Sequence, residues 1–224
     1  MFKITKITMV ALFSTMFAFT SNAAEFRVGA SAGFAQLEAS GTETLKDSAA
    51  TTTLTEQANA IIPSLFVELS RDSGIGLGID YVPGSADLAG SNRSRTLDGN
   101  DGQDSGTQTA NAEVDGVTTF YLIKMFDSGL FVKAGISQAD INTTETLASG
   151  SSYGNKSVDG SHFGAGVEKS NDSGVFFRAG VEHTNFDTIT LTGDQVGVAA
   201  SGSFNTISAD VDITAAKFSI GKRF

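Results

Sequence analysis

The tripeptide Asp-Ser-Gly stands three times between runs of alternating apolar residues: Asp72-Ser73-Gly74, Asp127-Ser128-Gly129 and Asp172-Ser173-Gly174. Residues 65–69 lead into 75–81 across the first copy, 120–126 into 130–136 across the second, and 163–168 into 175–181 across the third. Successive side chains of a strand point to opposite faces. Period-2 runs flanking three residues that end in Gly therefore predict a tight hairpin. The Gly takes the left-handed conformation that closes a type I turn with a bulge. A fourth copy, Asp104-Ser105-Gly106, lies in a polar tract without flanking runs and predicts no hairpin. Asp72, Gly74, Asp127, Gly129, Asp172 and Gly174 are thus assigned to three short turns.

The N-terminus carries Lys3 and Lys6, an apolar stretch over 7–19, and then Thr20-Ser21-Asn22-Ala23-Ala24. A basic region, a short apolar region and a small-residue site spell a cleaved secretory signal. The apolar run falls short of the roughly 20 residues a membrane helix needs. Residues 1–23 are assigned to the signal and 24–224 to one mature domain. Removing the two lysines leaves 13 bases against 25 acids, a net charge of −12. Phosphates would be repelled, so neither nucleic acid nor an anionic membrane surface is expected as a partner. The chain has no Cys, so no disulfide holds it, and 25 Gly against 2 Pro with no helical apolar period indicates an all-β fold.

Strand segments are read at 25–37, 59–70, 75–88, 112–126, 130–143, 158–170, 175–191 and 206–224. Long connections rich in Thr, Ser, Asn, Asp and Gly alternate with the Asp-Ser-Gly turns. That alternation predicts an eight-stranded antiparallel up-and-down transmembrane β-barrel, with four long external loops and three short periplasmic turns. One face of each segment is apolar, as in Phe26, Val28, Ala30, Ala32 and Phe34, and the other is small or charged. Lipid would surround the apolar face, so the charged face turns inward. The predicted inward set is Arg27, Lys133, Arg178, Lys217 and Arg223 against Glu68, Asp80, Glu168 and Glu182, paired because an unpaired charge in a narrow lumen is costly. A three-residue turn at 172–174 sets Glu168 opposite Arg178. In the same way, 127–129 sends Phe120 and Leu122 outward and Tyr121 and Ile123 inward.

The last segment carries Ala216, Phe218, Ile220 and Phe224 on one face and ends in Phe, with Lys222 where an apolar residue is usual. This resembles the assembly signal of bacterial outer-membrane barrels. The chain as a whole resembles the small barrels of the OmpA transmembrane-domain, OmpX, OmpW and opacity-porin type. The resemblance implies a monomer in the Gram-negative outer membrane. It further implies contact with outer-membrane lipid and lipopolysaccharide, and dependence on periplasmic chaperones and the barrel-assembly machinery. No periplasmic domain is expected after the last strand.

An interior this narrow is filled by side chains, so the reading is a non-enzymatic envelope and surface protein acting through acidic external loops. Those loops hold 17 acids and 4 bases. The alternative is a narrow, low-conductance porin for small solutes, and a lipid-modifying enzyme is more distant. His183-Thr184-Asn185 looks like the His-x-Ser-Asn segment of lipid A deacylase barrels but lacks the Ser, and His162 and His183 fall on opposite faces. The acids at Asp98, Asp101 and Asp104 recur at odd offsets, yet the Gly and Glu an EF-hand loop needs are out of place. No catalytic residue, cofactor or metal is assigned.

Overall fold

The structure is a computed structural model that describes residues 24–44, 51–88, 93–97, 106–146, 152–194 and 206–224. Alternation organises it. The strands are β1 (Ala24–Thr44), β2 (Thr51–Arg71), β3 (Ile75–Tyr81), β4 (Ser85–Asp87), β5 (Arg93–Leu97) and β6 (Gly106–Met125). They continue as β7 (Leu130–Thr146), β8 (Lys156–Ser170), β9 (Val175–Phe186), β10 (Ile189–Thr192) and β11 (Thr206–Arg223). All lie in one antiparallel sheet of order β1-β2-β3-β6-β7-β8-β9-β11-β10, with β4 and β5 on β6. β1 also pairs with β11 from Arg27↔Arg223 to Thr44↔Thr206, so the strand that begins the sheet meets the one that ends it.

The expected count of eight strands is corrected to eleven among the described residues. Three physical causes account for the difference. The third predicted strand breaks at Val82-Pro83-Gly84 into β3 and β4, because Pro supplies no N–H and Gly84 sits at φ +83°. The seventh breaks at Asp187-Thr188 into β9 and β10. β5 arises within a tract read as loop and pairs with the first residues of β6. The polar flanks are also extended: β1 runs on to Thr44 and β2 starts at Thr51. Thr favours strands even where no apolar alternation announces one.

The three turns have the predicted form. Gly74, Gly129 and Gly174 lie at φ +74°, +84° and +83°, and their N–H groups donate to Arg71, Phe126 and Asn171 carbonyls at 2.7, 2.9 and 3.0 Å. Their own carbonyls then accept from the next strand over: Met125 N–H to Gly74, Glu168 N–H to Gly129 and Arg223 N–H to Gly174, at 2.7, 2.7 and 2.9 Å. Each hairpin is thereby tied to its neighbour at the rim.

At the meeting of β1 and β11, Gly29 faces Gly221. The rings of Phe66 from β2 and Phe176 from β9 lie where Cβ atoms on these two glycines would be, with ring centroids 6.1 Å apart. The joint is thus packed from both sides by aromatic surface. The interior has a second layer that sequence reading did not anticipate. Beyond the charged residues, toward the end opposite the turns, Leu37, Val114, Ile141, Val158, Phe186 and Val211 form a buried apolar cluster.

The wall has a split. β2 pairs with β3 only from Ser70↔Gly76 to Leu65↔Tyr81. Beyond it, Val82 N–H donates to the Val117 carbonyl and β4 pairs with β6, so residues 51–64 of β2 bond to β1 and to no other described strand. Pro63 and Pro83, the chain's two prolines, flank this opening.

Gly174→Ala is expected to destabilise the fold by more than about 1 kcal/mol, because a side chain would occupy a positive-φ position and its Cβ would stand 2.7 Å from the Arg223 carbonyl. Urea unfolding of the refolded protein in detergent measures this. Unchanged stability would contradict the assigned turn geometry.

Candidate functional site

The buried face of the sheet near the turns is charged. Glu68 on β2 alternates with Phe66 and Ser70, Lys133 on β7 with Phe131, and Arg178 on β9 with Phe176. Each acid or base therefore arrives beside an aromatic or small residue on the same face. Arg178 is the centre. Its Nη1 and Nη2 donate to the two oxygens of Glu68 at 2.6 Å each, and its Nε donates to Glu168 Oε2 at 2.6 Å. Arg27 on β1 reaches across to both oxygens of Glu168 at 3.0 Å and also bonds Glu25. Tyr121 donates its hydroxyl to Glu68 at 2.7 Å. Three rings stack around the Arg178 guanidinium: Phe176, Phe66 and Phe131, with centroids 4.9, 5.3 and 5.4 Å away.

A second group lies one layer further in. Lys133 Nζ donates to Glu182 Oε1 at 2.9 Å, while Lys217 Nζ donates to Asp80 Oδ2 at 2.7 Å and Glu182 Oε2 at 3.2 Å. Ser64 donates to Asp80 at 3.2 Å. His162 shares a 2.9 Å hydrogen bond with Thr184 and comes within 3.9 Å of Glu182. Arg27, Arg178, Lys133 and Lys217 thus meet Glu68, Glu168, Glu182 and Asp80, four charges of each sign. Among the described residues no buried side-chain nitrogen or oxygen lacks a partner. Full pairing is what makes such an interior tolerable, because an isolated ion there would cost several kcal/mol.

Eight of the nine predicted inward residues are therefore brought together. Arg223 is not. Its side chain is 37% exposed at the rim and pairs with Glu25 at 3.6 Å. Ala216, Phe218, Ile220 and Phe224 face outward, three of them opposite Phe34, Ala32 and Ala30 of β1, while Phe224 and Phe26 exchange backbone hydrogen bonds. The predicted Glu168↔Arg178 register is observed, and Leu122 is exposed where Tyr121 and Ile123 are buried. His183 is exposed on Thr214 and His162 is buried, so the two histidines form no common site. Sequence reading missed Glu25 and Ser64, which strand alternation already places on the inward face.

A cavity of about 400 Å³ opens above the second group. Its floor is Asp80, Thr119, His162, Glu182 and Lys217, and its lining also takes in Ile61, Pro63, Pro83 and Gly84 at the split in the wall. Arg27, Glu68, Glu168 and Arg178 do not line it. This cavity therefore ends at the paired charges. Among the described residues, no group of three or more His, Cys, Asp or Glu side chains is placed to hold a metal ion. The predicted signal 1–23 and the tract 98–104 lie outside the described residues.

No family model and no curated protein matches the sequence. Solved structures do. The outer membrane protein OprG from Pseudomonas aeruginosa superposes with a TM-score of 0.52 at 16% identity, over 91% of this chain and 97% of that one. Neisserial surface protein A gives 0.47 at 13% identity, covering 89% and 97%. The outer membrane protease OmpT from Escherichia coli gives 0.42 at 11% identity, with the same coverage. The chain accordingly has the fold of the small bacterial outer-membrane β-barrel proteins. The match to OprG carries this statement.

Arg178→Ala is expected to destabilise the protein by about 3–5 kcal/mol, since it leaves the buried Glu68 without a cation and Glu168 with Arg27 alone. Adding Glu68→Gln and Glu168→Gln to that variant is expected to recover part of the loss. Denaturant midpoints of the single and triple variants decide it, and equal midpoints for Arg178→Ala and wild type would refute the network's role.

Proposed function

We propose that this chain is a non-enzymatic outer-membrane protein that stands in the lipid bilayer and meets the cell's surroundings through its acidic outer end. The observation that carries the reading is the outward face. Phe34, Ile61, Leu65, Phe163, Phe177 and Phe218 are each 56 to 69% exposed, while the charged residues between these positions are buried. In water this would be an inside-out protein, because burying one large apolar side chain is worth about 1.5–3 kcal/mol. In lipid the same arrangement is the stable one. Residues 1–23 serve as its export signal, and the outward row ending in Phe224 as the feature engaged during assembly.

A second reading concerns small solutes, and one observation favours it. The cavity is closed toward the turns by the ion pairs and reaches the outward face at the split between β2 and β3. A solute therefore enters from the side rather than along a straight pore.

Three measurements test these readings. Unboiled protein from an outer-membrane fraction is expected to migrate differently from boiled protein on a denaturing gel, and identical mobility would sink the membrane reading. In a planar bilayer the folded protein is expected to show no discrete current steps. An environment-sensitive apolar dye is expected to bind the folded protein, and Ala58→Trp, filling the cavity from β2, to reduce that binding several-fold. Steady single-channel steps in the wild type would overturn the closed interior.

A further inference from the structure

The floor of the cavity carries polar atoms that the protein itself leaves unused. Asp80 receives both Ser64 and Lys217 on one oxygen, Oδ2, and its Oδ1 accepts no hydrogen bond among the described residues. His162 engages Thr184 through Nδ1, while its Nε2 stands 3.9 Å from Glu182, beyond hydrogen-bond reach. Both side chains are more than nine-tenths buried, at 6 and 5% exposure. Among the described residues no fully buried side-chain nitrogen or oxygen lacks a partner. Oδ1 and Nε2 therefore reach accessible space, and both residues line the cavity. One free acceptor from β3 and one free ring nitrogen from β8 are thus brought to the same floor.

The rest of the lining is largely aliphatic, with Leu37, Val114, Ile213 and Ala215 among its residues. At the roughly 30 Å³ a water molecule takes in the liquid, this space admits a ligand of about a dozen non-hydrogen atoms. Charge narrows the choice of head group. At the floor Asp80 and Glu182 meet Lys217 and Lys133, two acids against two bases. The remaining acid of the lining, Asp87, is exposed and already accepts from Asn111. A charged head of either sign would therefore arrive without a counter-ion. A hydroxyl both donates and accepts. With Thr184 donating to Nδ1, the His162 ring proton sits on Nε2, so the two free floor atoms are one acceptor and one donor.

From this arrangement we propose that the cavity binds an uncharged, single-chain alkyl alcohol. Its hydroxyl donates to Asp80 Oδ1 and accepts from His162 Nε2, and its chain lies against Leu37, Val114 and Ile213. The inference rests on the side-entry reading above and goes beyond it by naming the head group and the two atoms that recognise it. A carboxylate has no proton for Asp80, an ammonium has no lone pair for the imidazole N–H, and an alkane leaves both floor atoms unsatisfied.

Displacement of N-phenyl-1-naphthylamine from the folded protein, held in amphipol so that no detergent competes, provides the test. Decan-1-ol is expected to displace the dye at lower concentration than decane, decanoate or decylammonium, by about fivefold for each hydrogen bond gained. Decyl methyl ether keeps the oxygen and loses the proton, and is expected to fall about fivefold behind the alcohol. In His162→Phe the preference for decanol over decane is expected to shrink by about the same factor. Should that variant not fold, the ether decides on the wild type alone. An ether as effective as the alcohol, or an unchanged preference in His162→Phe, overturns recognition of the hydroxyl while leaving the side-entry reading intact. Strongest displacement by decanoate or decylammonium overturns it in favour of a charged head. Dye binding that Ala58→Trp leaves unchanged contradicts the side-entry reading itself.

Discussion

Arg178 is the residue on which the interior turns. Its guanidinium is held at both ends by carboxylates, Glu68 on β2 and Glu168 on β8, and is walled by three phenylalanine rings. A planar five-donor group is suited to this, since it can satisfy two acids in fixed directions where an ammonium would act as a point charge. With Arg27 and Tyr121 added, one connected set of hydrogen bonds joins β1, β2, β6, β8 and β9. The sheet is thus cross-linked through its own centre. No hydrophobic effect drives the outward residues together when lipid surrounds them. Backbone pairing and this charged centre therefore carry much of the burden that an apolar core carries in a water-soluble domain.

That centre also explains why the two halves of the interior differ. Toward the turns the space is filled by ions in contact; toward the other end it is filled by Leu37, Val114, Ile141 and Val211, with the cavity between. A route through the first layer would require several buried ion pairs to open together. A side entrance requires nothing of the kind, because β2 and β3 part above Leu65 in the native fold.

Much of this was legible in the sequence because alternation and tight turns are local signals. Three glycines after Asp-Ser fixed hairpin register, and register fixed which residues face inward, from Glu68 and Lys133 to Lys217. What local signals cannot carry is contact across the interior. Arg27 stands in register with Glu68, yet its side chain crosses to Glu168 on the far side, and Lys217 of β11 finds Asp80 of β3. The strand bounds and the strand count went wrong for related reasons. A tract such as 51–58, dense in Thr, has the backbone preference of a strand without an apolar face to reveal it. Pro83 broke a run that otherwise alternates without interruption into Leu88. Arg223 followed the alternation but lies too close to the rim to be enclosed.

The carbonyls of Gly74, Gly129 and Gly174 give the two ends of the molecule unequal tolerance for added sequence. At the turn rim each connection is three residues long and is pinned to the adjacent hairpin, so a lengthened turn would forfeit a bond in the neighbouring strand as well as its own. At the other end β1 and β2 remain paired out to Thr44 and Thr51, well past the apolar rows. A foreign peptide grafted between those two threonines would sit on a stiff two-stranded stem at the end opposite the turns. The fold in that sense admits added sequence at one end alone.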